Sequence, residues 1–295
     1  MNLKTAIGTY PHTKPLKDGS AAVPGLEFEW VEVSPIIAAF RRMVRGLEFD
    51  VCEMAITTYL AAREYEKPFT AIPVFLVRAF HHRAIAANTK LVSSPKDLEG
   101  KRVGVRAYTV TTGVWARGIL ASEYGVDLDK VEWVIYDEEH VEEFKLPGNV
   151  TQAPAGSNMA SMLASGELAA GIGAGKVDSP DVKPLIPDSA AAERAWFQKT
   201  GVYPINHTVV VKDSLLQANP HLAADLCEAF AEAKQAYLLS GQPDEETAKL
   251  REIVGDDPLP YGIEPNRKAL EMIVQFARDQ HILSSAIKPE EMFAS

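Results

Sequence analysis

Between Pro73 and Asn88 the chain reads PVFLVRAFHHRAIAAN. Its apolar content is that of a buried strand, yet Arg78, His81, His82 and Arg83 place four cation-capable side chains in six positions. Burying an unpaired charge costs several kcal/mol, so the segment implies an anionic partner. An arginine fork offers a carboxylate two parallel hydrogen bonds. Histidine titrates near neutral pH and can act as general acid or base. Strand side chains alternate, so Arg78, Phe80 and His82 are expected on one face, with His81 and Arg83 on the other. The alternative is that Arg78 and Arg83 pair with acidic groups of the protein itself.

His207 lies in a second strand-like run, VYPINHTVVVK. His82 and His207 are the candidate proton-transfer residues; the alternative for each is an imidazole bonded to a backbone carbonyl. Thr111 and Thr112 stand at the helix start in YTVTTGVW, and Ser157 and Asn158 at that in GSNMASMLASGEL. First-turn N–H groups hold anions, so these four residues are candidates for substrate contact, or else plain caps. Thr57, Thr58 and Tyr59 follow CEMAI at a strand end, where α/β folds gather ligands, and Tyr10 ends the first strand. Tyr203 and Tyr261 would offer an aromatic ligand a ring face and a hydroxyl, or serve as core.

These residues need a scaffold, and the pattern is one of alternating strands and helices. LKTAIGTY, LEFEWVEV and FDVCEMAIT read as strands, with a helix PIIAAFRRMVRG between the second and third. A long extended stretch from about Thr70 to Asn88 follows, then strands at RVGVR and VEWVIYD and a short one at AAGIGA. The last third is mostly helical, with Leu270, Ile273, Val274 and Ala277 at helical spacing. The expected fold class is α/β: two lobes, each a mixed sheet flanked by helices. Residues 1–79 plus 205–295 would form the first lobe and 80–204 the second. Extended crossings near residues 78–88 and 203–211 would leave a ligand cleft between the lobes.

The chain has 295 residues, 46% of them hydrophobic, and a formal net charge of −10. An acidic chain without a basic run is a poor binder of nucleic acid or anionic membrane. Any basic cluster is therefore local and suits a small anionic ligand. The two cysteines, Cys52 and Cys227, make neither a disulfide framework nor a zinc site, and both read as buried thiols. No stretch reaches the ~20 apolar residues of a membrane span. The N-terminus MNLKTAIGTY has no apolar signal core, so a cytoplasmic location is expected. No cofactor is expected. A divalent metal stays open as an alternative without a motif to support it: the acidic run DEEHVEE reads first as solvated surface. A homo-oligomer is compatible with the sequence.

IPVFLVRAFHH, VWARGILASEYGV, GVYPINHTVVVK and DPLPYGIEPNR together resemble the 4,5-dihydroxyphthalate decarboxylase family, whose fold is that of the type II periplasmic binding proteins. The weaker SPKDLEGKRVGV is shared with many solute-binding proteins of that fold. The family typically reads Arg-His-Ser where this chain has His81, His82 and Arg83, and its region matching YDEEHVEEFKL tends to be glycine-rich and basic. The resemblance implies a dihydroxylated aromatic diacid as substrate, and it places the counterpart of Glu53 at the cleft. Direct loss of carbon dioxide from an arene would leave an unstable aryl anion. A ring hydroxyl para to the carboxyl-bearing carbon can instead lose its proton and push electrons onto that carbon. Protonation there gives a dienone, carbon dioxide leaves, and aromaticity returns. The route needs a base near the phenol and an acid near the ring carbon. The alternatives are a solute-binding protein without catalysis and, behind it, a biosynthetic enzyme on the same fold.

Overall fold

The computed structural model describes residues 1–21, 25–240 and 245–294. The strands are β1 Asn2–Ala6, β2 Glu27–Trp30, β3 Val51–Ala55, β4 Phe69–Arg78, β5 Ile85–Asn88, β6 Arg102–Val105, β7 Glu132–Ile135, β8 Val150–Gln152, β9 Ala170–Ile172, β10 Val182–Pro184 and β11 Ile205–Lys212. The α-helices are α1 Lys14–Lys17, α2 Ile37–Gly46, α3 Ile56–Glu64, α4 Thr111–Tyr124, α5 Met159–Ser165, α6 Ser189–Thr200, α7 Asp213–Ala218, α8 Leu222–Leu239, α9 Glu245–Val254, α10 Arg267–Asp279 and α11 Pro289–Met292. None of the described helices is long and apolar enough to cross a membrane.

The chain divides into two compact units. The first takes Met1–Arg78, Ile205–Glu271 and Ile287–Ser295; the second takes Ala79–Pro204 and Met272–Ala286. Assigning all of 205–295 to the first lobe is thus corrected at Met272–Ala286. The reason is local packing within the second unit. Phe276 meets Trp115 edge-on at 5.6 Å, and its ring lies where any Cβ on Gly118 would stand. Gln280 accepts a 2.7 Å hydrogen bond from the Arg117 Nε.

The first unit is built on a sheet of order β2-β1-β3-β11-β4. β1 runs parallel to β2 and β3, whereas β11 runs antiparallel to β3 and β4. Ile72, Val74 and Leu76 recur with period two along β4, and with Val209 and Val211 of β11 they pack on Leu226, Ala229, Phe230 and Ala233 of α8. All of β3 is buried, so it reads as an apolar run rather than an alternation. One residue breaks that run: Glu53, 0% exposed in the middle of the strand. The β3–β11 register pairs Glu53 with Val209 and Ala55 with His207. Glu53 and His207 are therefore diagonal neighbours on one face, within reach of each other for long side chains.

The second unit carries a sheet of order β10-β5-β9-β6-β7-β8. β9, β6, β7 and β8 are parallel, and β5 runs antiparallel to β9 and β10. Both sheets are mixed and flanked by helices, as expected for the α/β class.

Two local readings change. The extended stretch from Thr70 stops at Arg78, and His82–Ala84 forms a 3-10 turn closed by Ala84 N–H donating to the His81 carbonyl at 3.1 Å. Strand alternation therefore does not carry through Phe80 to His82. The strand read through Thr57 ends at Ala55, and Thr57 and Thr58 belong to α3, which starts directly after β3 with Ile56–Ala62 all buried. Cys52 is buried, Cys227 is half-buried, and both are free thiols.

Candidate functional site

Glu53 needs compensation, since a buried carboxylate is costly unless hydrogen-bonded. It has three donors. Its Oε2 accepts from the Gly8 N–H at 2.8 Å, and its Oε1 accepts from the Tyr10 hydroxyl at 2.7 Å. The same Oε1 lies 2.6 Å from His207 Nδ1. Burial pushes the Glu53 carboxyl up, but the bonds from His207, Tyr10 and Gly8 outweigh it and hold the group below the ordinary carboxylate range. An ionised Oε1 at this distance accepts a hydrogen bond from Nδ1–H of His207, which in the neutral imidazole is the tautomer that keeps the lone pair on Nε2. The His207 side chain is 16% exposed, and Phe40 packs edge-on to its ring at 5.1 Å. A carboxylate that orients an imidazole and stabilises its charged form is the arrangement of a general base.

The stretch GTYPHT after β1 builds the other side of the carboxylate. The Thr13 hydroxyl donates to the Gly8 carbonyl and accepts from the Tyr10 N–H, both at 2.8 Å. The Tyr10 ring folds back over Gly8; a Cβ there would stand 2.5 Å from the ring's Cζ. Burial, then the Glu53 charge and hydrogen bond, raise the Tyr10 hydroxyl far above its ordinary value, so it stays a donor. His12 stacks on the Tyr10 ring at 5.4 Å and 7°. It is buried, and its Nε2 has no hydrogen-bond partner. The sequence reading missed His12; its one signal was its place two residues beyond Tyr10 at a strand end.

The structure thus brings Tyr10, Glu53 and His207 together within the first unit. Arg78 ends β4 in register with Ile205, beside the Val77–His207 pair, and its Nη2 donates to the Asn266 side-chain oxygen at 2.5 Å. Asn266, from PYGIEPNR, is buried and in turn donates to the Pro260 and Gly262 carbonyls. Thr57 and Thr58 are both buried in the first turn of α3. Tyr261 is half-buried with its hydroxyl oxygen enclosed, and the Lys234 ammonium lies over its ring at 4.5 Å.

In the second unit the other candidates have defined places. His82 is buried edge-on to Trp196 at 5.6 Å, with Nδ1 unbonded. Arg83 forks onto Glu193 of α6, both contacts at 3.2 Å. That is the internal ion pair named as the alternative to substrate binding. Tyr203 is buried against Phe80 at 4.9 Å. Thr111 and Thr112 are the first residues of α4, whose cap is Val110, so neither is the N-cap. Asn158 is the N-cap of α5, accepting from the Ser161 N–H at 3.1 Å, and the Ser157 hydroxyl donates to the Pro154 carbonyl at 2.5 Å. Glu139, from the acidic run, is not solvated surface. It is buried and accepts from the backbone N–H of Tyr108, and from the Thr109 N–H at 3.1 Å and hydroxyl at 2.5 Å. Among the described residues no group of three or more His, Cys, Asp and Glu side chains is placed to hold a metal ion.

His12 and His82 carry a pH prediction. Burial lowers each imidazole to about 4. The unfolded chain, with histidines near 6.5, then binds protons that the folded chain refuses. Stability should be fully present above pH 6.5 and fall as pH drops toward 4, by roughly 3 kcal/mol per imidazole. Urea unfolding midpoints across that window should fall, and His82→Gln should remove about half of the slope. A flat profile would contradict the buried neutral imidazoles.

Residues 42–245 match the family described as NMT1/THI5 like. Over 99% of this chain and 96% of the relative, the sequence is 30% identical to a 4,5-dihydroxyphthalate decarboxylase of Comamonas testosteroni. It is 34% identical to a 4,5-dihydroxyphthalate decarboxylase of Pseudomonas putida, over 67% of this chain and 82% of the relative. Among solved structures, the periplasmic aliphatic sulphonate binding protein SsuA from Escherichia coli aligns with a TM-score of 0.56 at 11% identity, covering 99% of this chain and 97% of the other. At that identity the likeness concerns the fold alone, which is that of the periplasmic binding proteins.

Proposed function

This chain belongs to the 4,5-dihydroxyphthalate decarboxylase family, and from that premise we propose that it is a decarboxylase of a hydroxylated aromatic acid, of the 4,5-dihydroxyphthalate to protocatechuate type. The observation that carries the reading is the His207–Glu53 pair, with Nδ1 and Oε1 2.6 Å apart and the carboxylate buried. A solute-binding site has no use for an imidazole backed by a buried anion, whereas such a carboxylate orients a general base and stabilises the imidazolium that forms.

In this reading His207 Nε2 takes the proton of the ring hydroxyl para to the departing carboxylate, and Glu53 stabilises the imidazolium that forms. The phenolate pushes an electron pair toward the carboxyl-bearing carbon, which gains a proton and becomes tetrahedral. The bond to the carboxylate breaks, its electron pair returns to the ring, and carbon dioxide leaves. The phenolate then recovers its proton from the imidazolium. One proton is consumed overall, and solvent supplies it. Arg78, in register beside the His207 segment, is assigned to a substrate carboxylate. We do not assign the base role to His82: burial lowers its imidazole to about 4 and outweighs the Glu123 charge that favours the protonated form, so the charged form a base must take up is disfavoured there.

Incubation with 4,5-dihydroxyphthalate should release carbon dioxide and protocatechuate. Tight binding of the acid without turnover, with or without divalent metal, would instead mark a solute-binding protein.

A further inference from the structure

We infer that Tyr10 is a positioning residue for the proposed base, restraining Glu53 by donating to the same carboxylate oxygen that His207 uses; the inference rests on the proposed role of His207 and Glu53. A carboxylate oxygen has two lone-pair directions, and here both have a claimant. The Tyr10 hydroxyl lies 2.7 Å and His207 Nδ1 2.6 Å from Oε1, while Gly8 N–H holds Oε2 at 2.8 Å. The carboxylate therefore cannot rotate without losing a bond. Tyr10 is itself held: its ring lies against Gly8, stacks on His12, and sits in a turn closed by the buried Thr13. A phenol this well fixed does more than fill space. It takes up part of the charge on Oε1, and so limits how strongly that oxygen binds a proton or the His207 N–H.

Tyr10→Phe keeps the ring and its stacking and removes only the hydroxyl. With Oε1 no longer shared, the His207 Nδ1–H proton resonance should move downfield. The Glu53 carboxyl titration, followed by carbon NMR, should move upward by about one pH unit. Turnover should fall about tenfold through kcat rather than KM, with a displaced acid limb of the pH–rate profile. The NMR measurements need no substrate. If they move and the wild-type protein turns over no aromatic acid, the restraint of Glu53 stands and the decarboxylase reading falls. If both resonances stay in place and only the melting temperature drops, Tyr10 is a packing residue and the inference is overturned. Shifted resonances with unchanged kcat and pH profile would overturn it as well.

Discussion

Glu53→Gln should lower the turnover of a hydroxylated aromatic acid by roughly 10³- to 10⁴-fold, with little change in substrate binding. The amide has nearly the shape of the carboxylate, and with its NH2 toward His207 its single oxygen can still accept from the Gly8 N–H, which now holds Oε2 at 2.8 Å, while the bond that Tyr10 donates to Oε1 at 2.7 Å is lost. What it lacks is charge. Beside His207 a neutral amide no longer stabilises an imidazolium, and it can present an N–H where Nδ1 presents one too. The ring would then turn to its other tautomer, with the proton on the nitrogen that should be the base. Single-turnover measurement of carbon dioxide release, alongside equilibrium binding of the same acid, separates the two effects. Loss of binding with retained chemistry would place Glu53 in substrate recognition instead.

The second large effect is expected from a residue with no side chain. In Gly8→Ala the new Cβ would lie 2.5 to 2.7 Å from the far end of the Tyr10 ring. Contacts that short force a shift, and the tip of a side chain yields more readily than a sheet. Tyr10 should therefore swing off Glu53 while β1 stays in place. Turnover should fall 10- to 100-fold, about the loss of one or two charge-assisted hydrogen bonds, with a modest change in melting temperature. Because Gly8→Ala and Tyr10→Phe remove the same contact, the double variant should be little worse than Gly8→Ala alone. Additive losses would mean that Gly8 acts through something other than the tyrosine.

Much of the scaffold was legible because its signals are local. The burial of Leu270, Ile273, Val274 and Ala277 on α10 follows their helical spacing, and Gly125 ends α4 in the left-handed conformation that glycine permits. α3 was not legible: Thr57, Thr58 and Tyr59 favour strands, and the burial of nearly the whole helix hides its period. The site was legible only in pieces. Tyr10 and His207 drew notice by type and by their places in strands, and Glu53 through the family resemblance. Their meeting depends on the β3–β11 register, which joins residues 154 apart in sequence. Arg83 shows the opposite case. Its type and neighbours suggested a ligand, but its carboxylate partner, Glu193, lies 110 residues away on α6. No spacing rule within one segment reveals such a pairing. Glu139 was misread for the same reason: an acidic run looks solvated until the backbone donors of Tyr108 and Thr109 are seen against it.

The most direct measurement is carbon dioxide release from 4,5-dihydroxyphthalate by the wild-type protein and by His207→Gln under saturating acid. The wild type should turn over, and the variant should bind the acid yet release carbon dioxide at least 10³-fold more slowly. A variant that releases it at the wild-type rate would show that the imidazole beside Glu53 is not the base.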